Sequence, residues 1–189
     1  LDGTVASSAG GPIAGATVEY DNHGLTLTTA AGGAYAFSVF PGAGHKIRFS
    51  AFGHAPDSVT VSVAPDGVTT SNPVLQKYPS GGLSGRITDS ASGLPIELVE
   101  LSLVGTPFST TTNANGEYAF SGVPTLPLAT YALDVARYGY VVPQDVPIAI
   151  VASANVVQDY RLVAAVEHED FASASGGTVS SEPSATAGL

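Results

Sequence analysis

The chain of 189 residues carries 16 acidic and 6 basic side chains, for a net charge of −10. This balance excludes nucleic acid and anionic membrane surfaces as partners, because both are recognised by basic patches. The absence of cysteine excludes disulfides, thiol chemistry and cysteine-ligated zinc, and no apolar run approaches the roughly 18 residues that span a bilayer.

Composition also indicates where the protein works. Little lysine, no cysteine and no methionine, beside abundant Ser, Thr, Gly and Ala, are typical of a secreted or surface protein. We therefore expect an extracellular or cell-surface location. The chain begins at Leu1 rather than at methionine, which indicates the end of a processed, excised or partial protein.

Short stretches of alternating apolar and polar residues predict β-strands. The pattern occurs at residues 46–51 and 58–63, and again at residues 99–103 and 131–135. A period of two over short runs, separated by turn residues, is typical of a β-sandwich in which each sheet buries one face. No window has a convincing helical period, so we predict an all-β protein with almost no helix.

Two aromatic segments each follow a glycine-containing turn. Residues 32–38 read GGAYAFS, and residues 115–121 read NGEYAFS. Gly33 and Gly116 precede the aromatic strand, where a tight hairpin requires positive φ. The tyrosine and phenylalanine of each segment alternate with alanine, and we expect them to fill the core between two sheets.

The two segments belong to two copies of one unit. Gly116 lies 83 positions after Gly33, and the same offset takes Pro12-Ile13 to Pro95-Ile96. Such ordered matches indicate tandem domains. The predicted domains are residues 1–79 and 80–163, each with about seven strands, followed by a tail at residues 164–189. Residues 77–82 (KYPSGG) have the composition of a linker.

Four segments together carry a known order of motifs. They are residues 11–18 (GPIAGATV), 28–42 (TTAAGGAYAFSVFPG), 85–103 (GRITDSASGLPIELVELSL) and 111–124 (TTNANGEYAFSGVP). This order resembles the carboxypeptidase regulatory-like domain, and the resemblance covers residues 1–163. It implies two tandem seven-stranded, prealbumin-like (transthyretin-like, Ig-like) β-sandwiches with an extended C-terminal tail. It also implies a non-catalytic accessory role, as in secreted peptidases, glycosidases, bacterial surface proteins and adhesin stalks.

The chain also resembles the B-type repeats of Gram-positive adhesins, some of which carry a Lys–Asn isopeptide cross-link. That link requires a lysine on the first strand and an asparagine on the last. The two lysines are Lys46 and Lys77, and neither falls on a predicted first strand. We therefore do not expect the cross-link in this chain.

No sequence motif indicates an enzyme. There is no Gly-x-Ser-x-Gly elbow, and the segment at 168–172 begins like His-Glu-x-x-His but lacks the second histidine. The histidines at positions 23, 45, 54 and 168 have no metal-ligand spacing. We expect His23 and His54 in exposed loops, and we predict no catalytic, cofactor-binding or metal-ligating residue and no cofactor.

Clusters of acidic and amide residues leave two interpretations open. The run Glu167-His168-Glu169-Asp170 could contribute carboxylates to a calcium site or form a solvated hinge. The other clusters could gather around a site or serve ordinary turn chemistry, in which Asx side chains bind the backbone. These clusters are Asp89 with Asp159, and Glu117 with Asn113 and Asn115.

The C-terminal segment 171–189 (FASASGGTVSSEPSATAGL) contains little that could be buried. Its composition is typical of a linker. Alternatively, it adds a strand to an open sheet edge, in this chain or in a neighbouring one, or it leads into a further β-domain. We therefore expect residues 164–189 to be either a Ser/Ala/Gly-rich tail or a strand that pairs with a neighbour.

These observations predict a secreted, non-enzymatic structural or adhesive protein: a filament subunit or a surface stalk segment assembled through β-strand pairing. The expected partners are further copies of the chain or neighbouring domains, with a glycan as a further possibility, and neither nucleic acid nor a membrane span. The alternative is an accessory domain pair of a larger secreted peptidase or glycosidase. In that case surface aromatics such as Tyr20, Tyr78 and Tyr140 contact carbohydrate or pack at domain edges.

Overall fold

The computed structural model describes residues 1–21, 24–127 and 130–165, and this part of the chain contains β-strands and no helix. The strands of the first unit are β1 (Asp2–Thr4), β2 (Ala6–Ser7), β3 (Thr17–Tyr20), β4 (Leu25–Thr28), β5 (Ala34–Ala36), β6 (Gly42–Ser50), β7 (Asp57–Val63) and β8 (Val74–Leu75). The strands of the second unit are β9 (Ser80–Asp89), β10 (Glu100–Leu103), β11 (Ser109–Thr111), β12 (Glu117–Pro124), β13 (Tyr131–Ala136), β14 (Tyr140–Val141), β15 (Val146–Ile148), β16 (Asn155–Val157) and β17 (Tyr160–Ala164). The predicted all-β class is confirmed.

Each unit contains one four-stranded antiparallel sheet, with the orders β4-β3-β6-β7 and β11-β10-β13-β15. The second layer of the first unit consists of two two-stranded sheets, antiparallel β1-β5 and parallel β2-β8. The second layer of the second unit is one mixed sheet, in which β9 lies between β12 and the parallel strands β16 and β17. The second unit therefore repeats the topology of the first.

The strand number agrees with the predicted seven-stranded sandwich. In the described residues, β1 and β2 are two halves of one first strand separated by Val5, and β16 and β17 are likewise two halves of the last strand. Counted in this way, the first unit has seven strands. The second unit has the same seven and the short edge strand β14, which pairs with β17.

Alternating apolar residues of both sheets fill a core in each unit. The buried side chains of the first core include Val5, Val18, Ile47, Phe49 and Leu75. Those of the second include Leu83, Ile87, Leu101, Leu133 and Leu162. Full burial of a side chain of this size contributes about 1.5–3 kcal/mol, so the period-two pattern decides which face of each strand turns inward.

The glycines before the aromatic strands have the predicted backbone conformation but a different setting. Gly33 and Gly116 both have φ of 72°. The turn that contains Gly33 does not close a hairpin, because β4 and β5 belong to different sheets. A Cβ on Gly33 would lie 2.5 Å from the carbonyl oxygen of Val5. Glycine is therefore required both by the left-handed turn and by the close crossing of the chain from one sheet to the other.

The aromatic residues after these turns pack inward, as predicted. Tyr35 and its counterpart Tyr118 are buried, as is Phe120, and Phe37 packs against the first core. In each segment the two rings meet edge to face, with centroids 6.3 Å apart in the first unit and 6.1 Å apart in the second. Such pairs add to the stabilisation from burial alone.

The predicted linker at residues 77–82 is only partly irregular, because its last three residues begin strand β9. Gly81 and Gly82 serve close backbone approaches in the mixed sheet. A Cβ on Gly81 would lie 2.1 Å from the carbonyl oxygen of Val151. Composition alone could not distinguish glycines that loosen a linker from glycines that admit a neighbouring strand. The domain boundaries at 79 and 163 stay predictions.

Candidate functional site

Apart from Ala164 and Ala165, the predicted tail lies outside the described residues. Two of the four histidines, His23 and His168, also lie outside them. The same holds for the acidic run at 167–170, so its two interpretations stay open. Within residues 1–21, 24–127 and 130–165, no group of three His, Asp or Glu side chains is arranged to hold a metal ion.

The two described histidines make contacts inside the first unit. His54 is partly buried rather than exposed, which corrects the prediction for this residue. Its Nδ1–H donates to the carbonyl oxygen of Phe52 at 3.1 Å, and its Nε2 hydrogen-bonds the Ser7 hydroxyl at 2.9 Å. His45 hydrogen-bonds the Tyr20 hydroxyl. Both rings therefore connect a loop or strand end to the body of the sandwich.

Asp89 and Asp159 occupy separate backbone positions and do not form a common site. Asp89 Oδ1 accepts hydrogen bonds from the N–H groups of Ala91 and Ser92 at 3.0 and 2.7 Å. The Ser92 contacts lower the pKa of the Asp89 carboxyl, because they stabilise its charged form. Asp159 Oδ1 accepts from the N–H of Arg86 at 2.7 Å and so completes the pairing of the first and last strands.

The cluster at residues 113–117 is a turn. Asn113 Oδ1 accepts from the N–H groups of Asn115 and Glu117 at 3.0 and 2.9 Å, and its Nδ2–H donates to the Glu117 carboxylate. This is the ordinary Asx-turn chemistry that the sequence left open. It fixes the entry to β12 and therefore the position of the aromatic residues that follow.

The tyrosines considered as carbohydrate platforms do not form one. Tyr20 is buried, and Tyr140 packs against the second core. Tyr78 is partly buried, and its N–H binds the carbonyl oxygen of Gly53. Among the described residues the most exposed aromatic rings are Phe40 and Tyr138, at 89% and 90% exposure. An alternating pattern could not reveal them, because both lie outside strands.

A tyrosine–carbonyl contact closes the mixed sheet of the second unit. The Tyr118 hydroxyl donates to the carbonyl oxygen of Gln158 at 2.6 Å. The first strand carries Gly85 at this point, where a Cβ would lie 1.8 Å from the same oxygen and 2.9 Å from Cε1 of Tyr118. The carbonyl therefore fits only because Gly85 has no side chain.

The first unit contains the same contact. The Tyr35 hydroxyl donates to the carbonyl oxygen of Ser71 at 2.8 Å, and a Cβ on Gly3 would lie 1.7 Å from that oxygen. Burial raises the pKa of both tyrosines, so each hydroxyl remains a donor at neutral pH. Sequence reasoning placed these tyrosines in the core but missed their hydrogen-bond acceptors, although the repeated glycine near the start of each unit was a visible signal.

A buried threonine performs a second matched task in each unit. Thr112 Oγ1 donates to the carbonyl oxygen of Ile96 at 2.7 Å and accepts from the N–H of Val99 at 2.9 Å. Thr29 makes the corresponding pair of bonds in the first unit. These are the two buried polar residues among the described residues. In each case the hydroxyl oxygen binds one N–H and one carbonyl group of the segment that leads into a strand, and so fixes the position of that segment.

The two units also contact each other. The rings of Phe52 and Phe108 have centroids 6.2 Å apart. The N–H and the hydroxyl of Thr125 both donate to the carbonyl oxygen of Pro79, at 2.8 and 3.0 Å. The residues that join the units are therefore held by hydrogen bonds and an aromatic contact.

The described surface offers open depressions rather than a deep cavity lined by converging catalytic groups. One depression of about 500 Å³ lies on the outer face of the second antiparallel sheet. Its lining includes Glu100, Ser102, Thr111 and Asp134.

Both lysines lie away from a first strand. Lys46 is on β6, with its Nζ 3.9 Å from the Asp21 carboxylate, and Lys77 follows β8. This placement agrees with the expectation that the isopeptide cross-link has no lysine donor here. In the described part of the chain, no helix has the length and apolar character needed to cross a membrane.

The repeated topology and the matched buried contacts define two copies of one β-sandwich module. The sequence pattern of the carboxypeptidase regulatory-like domain matches residues 1–76 and again residues 82–163. The chain belongs to this family, with two tandem copies, and the predicted resemblance is confirmed. No curated protein sequence matches the chain.

Several solved structures are similar to the chain. The streptococcal ancillary pilin is 15% identical with a TM-score of 0.51, over 87% of this chain and 61% of that one. The minor pilin of Streptococcus agalactiae is 13% identical with a TM-score of 0.48, over 87% and 96% of the two chains. The shaft pilin SpaA of Lactobacillus rhamnosus GG is 13% identical with a TM-score of 0.44, over 87% and 97%. The chain thus spans less than two thirds of the ancillary pilin.

Proposed function

We propose that the chain is a non-catalytic structural or adhesive segment of an extracellular or cell-surface protein, working as a filament subunit or as part of a stalk. The observation that carries this proposal is the use of buried polar groups. In both units, the tyrosine–carbonyl contact and the buried threonine bind main-chain groups of segments that adjoin the strands. Such polar groups hold each sandwich together.

The contacts between the two units support a load-bearing role. Pro79 lies at the junction, and its carbonyl oxygen is bound twice by Thr125. Phe52 and Phe108 add an aromatic contact between the units. A junction held in this way favours a rod that spaces a binding surface from its anchor, whereas a Gly/Ser-rich connection would behave as a random coil.

The fold shared with the ancillary pilin is consistent with this role, since that protein is named as a pilin. At 15% identity, the similarity to this pilin concerns the fold alone. The acidic composition, with a net charge of −10 and no cysteine, fits a surface protein that does not bind nucleic acid.

The second candidate function is an accessory domain pair of a larger secreted peptidase or glycosidase. The polar depression on the second antiparallel sheet favours it, because Glu100 and Asp134 could accept hydrogen bonds from sugar hydroxyls there. This reading assigns the chemistry to another domain and leaves this chain non-catalytic.

Immunogold electron microscopy of intact producing cells tests the proposal, with cells lacking the protein as the control. Gold particles along projecting fibres or at a fixed distance from the cell surface are the expected result. Label recovered from the medium together with a hydrolase activity would contradict it. In that case binding of the full chain to a glycan array, with and without Glu100→Ala, would test the accessory function.

A further inference from the structure

Strand β7 is an open edge of the first antiparallel sheet. It spans seven residues, DSVTVSV, and follows β6 at the end of the sheet. The other edge strands of the antiparallel sheets, β4, β11 and β15, span four, three and three residues. The longer edge strand β12 carries Glu117 at its start, a register shift with Gly122 at φ of 69°, and Pro124 at its end. Charges, bulges and prolines are the usual protection of sheet edges. Strand β7 has a charge only at its first residue, Asp57, and the register shift in its pairing with β6 lies near its other end, between Val61 and Val63.

The main-chain groups of Thr60 point to this open edge. Thr60 lies opposite Lys46, whose carbonyl oxygen accepts the Asp21 N–H from the other side of β6, at 2.9 Å. In an antiparallel ladder, opposite residues either exchange both hydrogen bonds or point away from each other. Thr60 therefore points away from β6, and Ser58 and Ser62 share its orientation.

The two ends of the open edge carry local hydrogen bonds, and its centre does not within the described residues. The N–H of Ser58 is bound by the Asp57 carboxylate at 2.7 Å, and the carbonyl oxygen of Ser62 accepts from the Thr69 hydroxyl at 3.0 Å. The N–H and C=O of Thr60 are available for an incoming strand.

The second unit closes the same edge with a proline. Pro147 on β15 lies opposite Ala132, whose carbonyl oxygen is bound by the N–H of Val104 on the other side of β13. Pro147 thus occupies the position in the second unit that Thr60 occupies in the first. Proline has no N–H to offer an incoming strand. The two copies of one module therefore differ at the residue that decides whether this edge can pair.

The sequence of β7 is complementary to itself. Residues 58–62 read SVTVS, the same in both directions. In a two-fold antiparallel pair centred on Thr60, valine lies beside valine on the inner face and serine or threonine beside serine or threonine on the outer face. Asp57 of one copy then lies opposite Val63 of the other, so the two carboxylates are at opposite ends of the pair. Like side chains of this kind stabilise cross-strand pairs, and like charges directly opposite would destabilise them.

We propose that β7 is a self-association edge, and that two copies of this chain pair their β7 strands antiparallel about Thr60 to form one continuous sheet across both first units. This inference deepens the proposed function, since it names the partner and the edge through which subunits or stalks associate. It concerns association in solution, so its failure would leave the surface location untouched.

Sedimentation equilibrium of the full chain tests the proposal. The apparent mass is expected to rise reversibly with concentration from 18.9 kDa towards twice that value. Thr60→Pro is expected to weaken dimerisation at least about tenfold, the scale set by the loss of central main-chain hydrogen bonds. The fold should tolerate this change, because Pro147 occupies the matching position. Thr26→Pro on β4, at the opposite edge of the same sheet, is the control and should dimerise like the unaltered chain. A chain that stays monomeric, or a Thr60→Pro variant that dimerises normally, overturns the proposal.

A cysteine variant tests the register independently, because the chain has no cysteine of its own. Directly opposed hydrogen-bonded residues have Cα atoms about 5.5 Å apart, which a disulfide can bridge. Thr60→Cys is therefore expected to form a covalent dimer under mild oxidation much faster than Thr26→Cys. Equal rates for the two variants would mean that another segment occupies the edge, such as the tail, or that the copies meet elsewhere, and either result refutes the β7–β7 pair.

Discussion

Replacement of Gly85 by alanine is the sharpest test of how each unit is held together. The new Cβ would lie 1.8 Å from the carbonyl oxygen of Gln158, so that carbonyl has to move by at least about 1 Å in a close-packed interior. The movement strains the parallel pairing of the first and last strands and removes the acceptor of the Tyr118 hydroxyl. Overpacking costs about 1–3 kcal/mol, and an unsatisfied buried hydroxyl costs about 1–3 kcal/mol more.

We therefore expect Gly85→Ala to lower the free energy of unfolding of the second unit by about 2–6 kcal/mol, against a typical domain stability of about 5–15 kcal/mol. Urea unfolding followed by far-UV circular dichroism and tyrosine fluorescence measures it. Gly3→Ala is the matched change in the first unit and should behave alike. Gly32→Ala is the control: no heavy atom lies within 4 Å of its Cβ position, and we expect a change within about 0.5 kcal/mol. A loss below about 1 kcal/mol for Gly85→Ala would refute the close-approach argument.

Three further outcomes follow from the buried polar contacts. Thr112→Val should destabilise the second unit by about 2–4 kcal/mol, because two buried main-chain groups lose their partner; Thr112→Ser should restore most of this in the same urea assay, and equal losses would contradict the reasoning. Burial raises the pKa of Tyr118 and Tyr35. The stability that this shift contributes is therefore present below the ordinary tyrosine pKa near 10 and is lost as the pH rises above it. Absorbance at 295 nm should show these tyrosines ionising together with unfolding, and their titration in the folded state would oppose this view. The pKa of Asp89 is lowered from its ordinary value of 3.8, so its contribution to stability is present above that value and is lost as the pH falls through the folded-state pKa. Asp89→Asn should therefore make the urea midpoint less dependent on pH below 3.8, and an unchanged pH dependence there would count against this view.

The proposed β7 contact would join two chains, each held together by the buried contacts described above. The same sandwich occurs twice, with one antiparallel edge open at Thr60 and the other closed by Pro147. A two-fold pair is closed, so the β7 contact joins two chains side by side and does not by itself lengthen a filament. Pro147 removes one main-chain donor from the corresponding edge of the second unit.

The amino-acid sequence by itself determined the class of the protein. The period-two pattern, the 83-residue repeat and the glycine–aromatic segments predicted two all-β sandwiches, because side chains alternate across a strand and only one face can be buried. Gly33 and Gly116 were recognised as positive-φ positions for the same local reason. The turn chemistry at Asn113 also lay within reach, since an Asx turn involves only neighbouring residues.

Only the tertiary structure decided how distant residues meet. The acceptor of Tyr35 is Ser71, just before β8, and that of Tyr118 is Gln158, between β16 and β17. Both lie far along the chain, and the parallel pairing that brings them there leaves no local pattern. Likewise, composition predicted a linker at Gly81 and Gly82, whereas the structure packs the segment around residues 151–155 closely against both glycines. The open edge of β7 depends on sheet order, because an alternating strand has the same composition at the centre of a sheet and at its edge. Hydrogen-bond partners between distant segments are a property of the fold, and for this reason they decided which residues hold the protein together.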